Sequence, residues 1–241
     1  METVTKPVWL NLKKINSRKF FARLYAVVKS KRGELPAVAI FGFFLVQDLR
    51  ALLRYALTMR PVGFLSMIVF LNGLFVTLYF TMLVCIYLTR GTASVTTKSL
   101  PTKLIAFAAT FMPFTFPMLS GPAPSGISIL LISSLILFFA MIFTLLALGA
   151  LGRSFSLIPQ ARKLVTTGPY RFVRHPVYVG EILGALGLVV WACSIPKVLV
   201  FLVLIGCEVY RALQEENLLR EAFCEYDEYA GRTKRFIPGI F

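Results

Sequence analysis

ISILLISSLILFFAMIFTLLALGAL, residues 127–151, runs for 25 residues without one ionisable side chain. The hydrocarbon core of a bilayer is about 30 Å thick, and a helix needs about 20 apolar residues to cross it. The stretch therefore reads as a membrane-spanning helix. Further apolar runs lie outward from it, at 62–88, 104–119, 177–195 and 198–210, the last two separated only by Pro196-Lys197. A sixth candidate, 35–59, is interrupted by Asp48, Arg50 and Arg54. Ionisable groups at membrane depth are costly and must face protein or water, so this span is expected to be short, tilted or partly interfacial. The whole chain agrees: of 241 residues, 57% are apolar and 15% charged, and the mean hydropathy is +0.76. Soluble domains are closer to a quarter charged, and disorder requires low hydrophobicity. Four cysteines at 85, 193, 207 and 224 show no repeated spacing, which excludes a small disulfide-stapled domain. The expected fold class is all-α, a polytopic transmembrane helical bundle of about six spans.

The charges orient this bundle. Residues 1–34 hold nine basic and two acidic residues, and residues 208–241 hold five and seven. The stretch between holds twelve basic residues and only two acids, Asp48 and Glu181. A net charge of +15 could suit nucleic acid, but no groove-reading motif accompanies it, and the cations flank apolar runs. Basic short loops mark the cytoplasmic side. One set of loops is basic: the N-terminus, then Arg90, Lys98 and Lys103, then Arg153, Arg162, Lys163, Arg171 and Arg174. The opposite set holds Arg60, no charge in 120–126, and Lys197. Six spans with both termini cytoplasmic satisfy every loop; five would leave nine cations outside. The first 34 residues are too charged for a cleavable signal peptide. In them Trp9, Leu12, Ile15, Phe20, Leu24 and Val27 or Val28 recur at helical spacing among lysines and arginines, which predicts an interfacial basic helix ended by Gly33 and Pro36.

Several chemistries are set aside. One histidine and four dispersed cysteines supply no zinc or haem ligand set. No phosphate-cradling P-loop, dinucleotide-binding glycine motif or nucleophile elbow occurs. What remains is the loop LGRSFSLIPQARKLVTTGPYRFVRHPVYVGE, 151–181, and the tail EVYRALQEENLLREAFCEYDEYAGRTKRFIPGIF, 208–241. Gly168-Pro169 predicts a turn, and Pro176 suits the first turn of a helix. Arg171, Arg174 and His175 stand just before that helix N-terminus, which itself favours anions. Arg171 and Arg174 could equally snorkel to headgroups. Tyr178 and Glu181, three apart, share a helix face. In the tail Glu208, Arg211 and Glu215 form one helical stripe with Glu216 beside it. Tyr226, Tyr229, Phe236 and Pro238 either fold back as a lid or lie in the interface. Arginines for an anion, carboxylates for an ammonium or ribose, and tyrosine faces for a cation beside lipid suit a zwitterionic nucleoside cofactor and a lipid-like acceptor.

With GPYRFVRHPVYVGE and RALQEENLLREAFCEYDEYAGRTKRFIPGIF, separated by a two-span hairpin, the chain resembles the isoprenylcysteine carboxyl methyltransferase and phospholipid methyltransferase superfamily. The resemblance covers the region from Leu151 onward; the first 150 residues match only as a hydrophobic bundle. It implies S-adenosylmethionine-dependent methyl transfer at the cytoplasmic membrane face, in a pocket formed by the loop and the C-terminal helix. Three regions follow: a basic interfacial segment, 1–34; an N-terminal transmembrane bundle, 35–150; and a methyltransferase core, 151–241. The family pattern assigns the cofactor wall to Lys163, Leu164, Val165, Tyr170, His175, Pro176, Val177 and Tyr178, with Glu215 at the cofactor's polar end. It places Arg211 toward the acceptor as a catalytic and substrate-binding residue, with Arg174 also on the substrate side. Glu181 joins Arg211 as a catalytic candidate. With no clear base in the sequence, an anionic acceptor such as a carboxylate is favoured over a lipid amine, lipid phosphate or small thiol. Glu181 after Val-Gly is usual in prokaryote-like members, which points to a prokaryotic plasma membrane rather than the endoplasmic reticulum. The expected partners are the bilayer and a lipid-like or prenylated acceptor, with no nucleic acid and no metal. A membrane reductase or a transporter is the more remote alternative.

The alternation of basic loops gives a first test. In a cysteine-free background, single cysteines at the Lys98 and Arg162 positions should react with an impermeant thiol reagent only from the cytoplasmic side, and one at Ser125 only from the other. Labelling of the N-terminus from outside would leave five spans.

Overall fold

The structure is a computed structural model and describes residues 33–59, 63–119, 121 and 126–240. Helices dominate it: α1 (Leu35–Met59), α2 (Phe64–Thr89), α3 (Leu100–Phe111), α4 (Ile127–Leu151), α5 (Pro176–Trp191), α6 (Ile195–Ala222) and α7 (Tyr226–Arg232). Leu35–Thr58, Phe64–Thr89 and Ile127–Ser154 are long and apolar enough to cross a membrane. The sixteen residues of α5 are apolar but shorter. The 28-residue α6 carries Lys197, Glu208 and Arg211 within its first seventeen positions. A minimal departure from an all-helical fold is the antiparallel pair β1 (Val95–Thr96) and β2 (Gln160–Ala161). The expected interfacial helix falls on residues outside the described ones, apart from Gly33 and Glu34.

Prolines set several boundaries. Ser99 caps α3 by accepting the Thr102 N–H, and Pro101 sits in its first turn. The expected run 104–119 therefore begins earlier, at Leu100, and is α-helical only to Phe111. Beyond it Met112–Met118 tightens into 3-10 turns around Pro113 and Pro117, which have no N–H to continue an α-helix. The hairpin between the last two long helices also differs from expectation. Its turn is 192–194, and Pro196 and Lys197 belong to the first turn of α6, where a missing N–H has no cost.

The chain alternates between two ends of the bundle. At one end Glu34 pairs with Arg90, with Arg162 3.9 Å away, joining the start of α1, the end of α2 and the loop after α4. There too the Thr102 and Tyr210 hydroxyls meet at 3.1 Å, setting the start of α3 against α6. At the other end a Cβ on Gly121 would lie 2.9 Å from the Ala192 carbonyl and 3.5 Å from Lys197 Nζ. Inside the bundle α5 approaches α4 at glycines. A Cβ on Gly180 would stand 2.0 Å from Thr144 Oγ1, and one on Gly187 2.8 Å from Leu137. Such small-residue contacts are how helices pack closely in lipid. Leu57, Phe139, Leu146, Ile195 and Leu199 are exposed, an apolar exterior that a soluble monomer rarely shows. Of the charges inside the first span, Asp48 accepts a 2.6 Å hydrogen bond from Thr77 of α2, while Arg50 and Arg54 stay exposed.

Candidate functional site

The loop 152–175 and the tail close over the end of α6 around one carboxylate. Glu216 is fully buried. Its Oε1 accepts from Arg174 Nε at 3.0 Å, His175 Nε2 at 3.2 Å and Arg235 Nε at 3.0 Å, and its Oε2 from Arg235 Nη2 at 3.1 Å. Burial alone would raise its pKa. Hydrogen bonds from His175 and Arg235, with the charges of His175 and Arg174, outweigh burial and hold Glu216 down at about 2. The backbone follows this anchor: Arg174 N–H donates to the Lys234 carbonyl at 2.7 Å and His175 N–H to that of Arg235 at 3.1 Å. Arg174 adds Nη1 bonds to the Ala230 and Thr233 carbonyls. Its three hydrogen bonds reach α6 and the tail, and Arg174 also lines the cleft that this closure forms.

This closure forms a narrow cleft of about 50 Å³. Lys163, Leu164, Val165, Tyr170, His175, Val177, Tyr178 and Glu215 line it together; Pro176 opens α5 between two of them without lining the cleft. The imidazole of His175 stacks parallel on Tyr178 at 5.3 Å, and the Tyr178 hydroxyl donates to Glu215 at 2.8 Å. Burial, and next the Glu215 carboxylate, push the Tyr170 phenol well above its usual range. Tyr226 and Tyr229 of α7 complete the wall, and Phe236 packs on His175 at 5.8 Å, so the tail folds back over the site. Ser154, Ser156, Gln160 and Arg162 also line the cleft. Sequence reasoning counted Arg162 only as a loop cation; its ligation to Gln160 and the Gly91 carbonyl depends on a distant loop. Arg162 Nε and the Tyr226 hydroxyl are buried without a hydrogen-bond partner among the described residues.

A second cavity, about 350 Å³ and mostly apolar, lies deeper between α2, α3, α4 and α5. Glu181, Tyr79 and Asn72 are polar points in its wall. Arg211 stands between cavity and cleft, 1% exposed. Its Nη1 donates to both oxygens of Glu208, at 2.9 and 3.0 Å, and its Nη2 to the Leu157 carbonyl at 3.1 Å. Glu181 is 3.6 Å away, and the guanidinium lies over the Tyr178 ring at 4.6 Å. Tyr178 lines the cleft and Glu181 lines the cavity, so these side chains form a shared wall. Among the described residues no group of three or more His, Cys, Asp or Glu is placed to hold a metal ion.

The chain is thus a helical bundle with three helices long and apolar enough to cross a membrane, a polar cleft at one end and an apolar cavity behind it. Residues 125–225 match the phospholipid methyltransferase family. The chain is 40% identical over 109 residues to the cobalt-zinc-cadmium resistance protein CzcN of Cupriavidus metallidurans, covering 40% of this chain and 50% of that one. It is 40% identical over 83 residues to the nickel-cobalt-cadmium resistance protein NccN of Alcaligenes xylosoxydans xylosoxydans, covering 34% and 38%. It is 37% identical over 102 residues to a probable protein-S-isoprenylcysteine O-methyltransferase of Oryza sativa subsp. indica, covering 39% and 53%. The matches thus span about half or less of these relatives. These similarities to phospholipid methyltransferases and isoprenylcysteine O-methyltransferases agree with the resemblance carried by the two sequence blocks.

Glu216 yields a pH prediction. A carboxylate whose pKa falls on folding stabilises the native state above its unfolded pKa, and loses that contribution as pH drops through the folded value. In detergent, wild type should unfold at a higher temperature than Glu216→Gln at neutral pH, since breaking a buried pair costs about 3–5 kcal/mol. The gap should narrow between the ordinary value of 4.5 and about 2. A gap constant with pH would mean that Glu216 is not the anchor.

Proposed function

We propose that the protein is an integral-membrane methyltransferase that takes S-adenosylmethionine in the cleft and a lipid-like acceptor in the cavity. The observation that carries this reading is the wall shared by the two compartments, where Tyr178 and Arg211 bring a polar site and an apolar site into contact. The alternation of chain ends supports six crossings with both termini cytoplasmic. The matches to the two metal-resistance proteins fit a prokaryotic plasma membrane. The residues lining the cleft all come from 151 onward, whereas the cavity draws on α2, α3 and α4 together with Gly180, Glu181 and Leu188 of α5, so the second compartment straddles the boundary expected near 151.

The residues present fit the cofactor. Glu215 offers a carboxylate to an ammonium, Arg162 Nε and the Tyr226 hydroxyl offer unmet hydrogen bonds, and Tyr178 and Tyr170 offer faces to a cation. When bound, S-adenosylmethionine supplies a methyl group already activated on a sulfonium. The chain must orient and exclude water; such positioning contributes up to about 7–11 kcal/mol in favourable cases. His175 holds Tyr178 by stacking, Tyr178 holds Glu215, and Arg211 fixes the wall across which the methyl passes. The cleft is small, so entry of a nucleoside requires it to widen, and the tail latched through Glu216 and Arg235 is the part poised to lift. Arg211, expected as the acceptor's anchor, is engaged with Glu208 and Leu157, and acts in this reading as part of that wall.

Calorimetry on detergent-purified protein tests the assignment. S-adenosylmethionine or its demethylated product should bind, and Glu215→Ala should weaken binding about ten- to a hundredfold, because hydrogen bonds to charged groups contribute about 1.5–3 kcal/mol. NADPH should give no heat. Unchanged affinity in the variant would remove Glu215 from the site, and no binding to wild type would remove the cofactor.

A further inference from the structure

One face of the cleft is held in place by the N-terminal half of the chain. Ser156, Gln160 and Arg162 line the cleft, and the segment that carries them is fastened to the end of α2 and the loop beyond it. The Phe155 carbonyl accepts from Arg90 Nη1 at 3.1 Å, and the Leu157 N–H donates to the Tyr87 hydroxyl at 2.9 Å. Arg90 lies over the Tyr87 ring at 3.6 Å. The Ser94 N–H donates to the Ala161 carbonyl at 2.8 Å, and Arg162 Nη1 donates to that of Gly91. Glu34, just before α1, pairs with Arg90 and stands 3.9 Å from Arg162 Nη2. Two buried guanidiniums, with side chains 6% and 7% exposed, thus share one carboxylate. Burial, and next the charge of Arg90, pull the Arg162 pKa below its usual value, and Glu34 acts against them. Both outer nitrogens of Arg162 are engaged, Nη1 by Gly91 and Nη2 by Gln160 at 2.7 Å. The inner Nε is buried with no hydrogen-bond partner among the described residues.

Resting on the methyltransferase reading above, we infer that Glu34 and Arg90 are positioning residues for the cofactor. Their ion pair holds Arg162 in the cleft wall with its Nε–H available to the bound nucleoside, so the first two spans tune cofactor affinity without touching the cofactor. Both residues lie outside the matched stretch 125–225, and neither lines the cleft. Without Glu34, Arg90 and Arg162 repel each other where little water screens them, and a buried charge that loses its partner is strongly destabilising. Arg90 is held by Tyr87 and Phe155, so the relief falls to Arg162, which sits on a loop and can turn outward to water. That movement withdraws the Nε–H from the cleft. It also releases Gln160, to which Ser156 donates at 2.9 Å, so the loss spreads along this face of the site.

The test is a double-mutant cycle on full-length protein in detergent, with binding of S-adenosylmethionine and of its demethylated product followed by calorimetry. Glu34→Gln should weaken both about tenfold, the worth of one hydrogen bond, and Glu34→Asp, which keeps the charge, should recover part of that loss. Arg162→Lys keeps a cation but loses the Nε–H of the fork, and should itself weaken binding. In that background Glu34→Gln should cause no further loss, because the group it positions is gone. The double variant Glu34→Gln/Arg90→Gln removes the ion pair without stranding Arg90; it should show the same loss, and it serves if Glu34→Gln alone does not fold. Wild-type affinity in either variant would overturn the positioning role. So would a Glu34→Gln loss that adds in full to that of Arg162→Lys, the mark of general support to the fold. No binding to wild type would instead overturn the cofactor assignment, and this inference with it.

Discussion

Everything at the polar end of this bundle is arranged around a carboxylate removed from water. Glu216 meets Arg174, His175 and Arg235 within 3.2 Å, and these donors come from the loop before α5 and from the tail. A buried anion left unpaired would cost several kcal/mol, so the loop and the tail must dock together or not at all. Docking them sets His175 against Tyr178, closes α7 over Tyr170 through a 2.6 Å bond from Tyr229 to its carbonyl, and thereby makes the cleft.

Arg211 organises the second compartment by the same logic at greater depth. Its guanidinium lies on the Tyr178 ring, pairs with Glu208 one turn away on the same helix and reaches the Leu157 carbonyl, so α5 and the loop after α4 are both tied to α6. Cleft and cavity meet at this knot. In the proposed reaction, a methyl group moving between a polar cofactor and a lipid-like acceptor would cross it.

Much of this was legible in the sequence. Apolar run lengths located the long helices, and the basic loops share one end of the bundle through the Glu34 contacts. Eight of the nine expected cofactor residues line one cleft, because the two sequence blocks lie at the ends of one hairpin. The tail's fold-back was foreseen as one of two options, and Glu216 decides it. The missed features depend on long-range pairing. Nothing near Arg162 in sequence announces its partner Glu34, 128 positions away, and Tyr79 sits in an ordinary apolar run. The pairing of Arg211 with Glu208 was also not legible, because a stripe of Glu208, Arg211 and Glu215 cannot say which acid the arginine takes. The spans at 104–119 and 198–210 shifted because hydropathy does not register where proline places a helix start.

The central claim is that cleft and cavity together methylate a membrane lipid. Lipid mass spectrometry of cells with and without the gene tests it most directly. The account predicts a lipid heavier by one methylene unit only where the wild-type protein is present, and its loss when Glu215 is replaced by alanine. Identical lipid profiles in the two strains would contradict it.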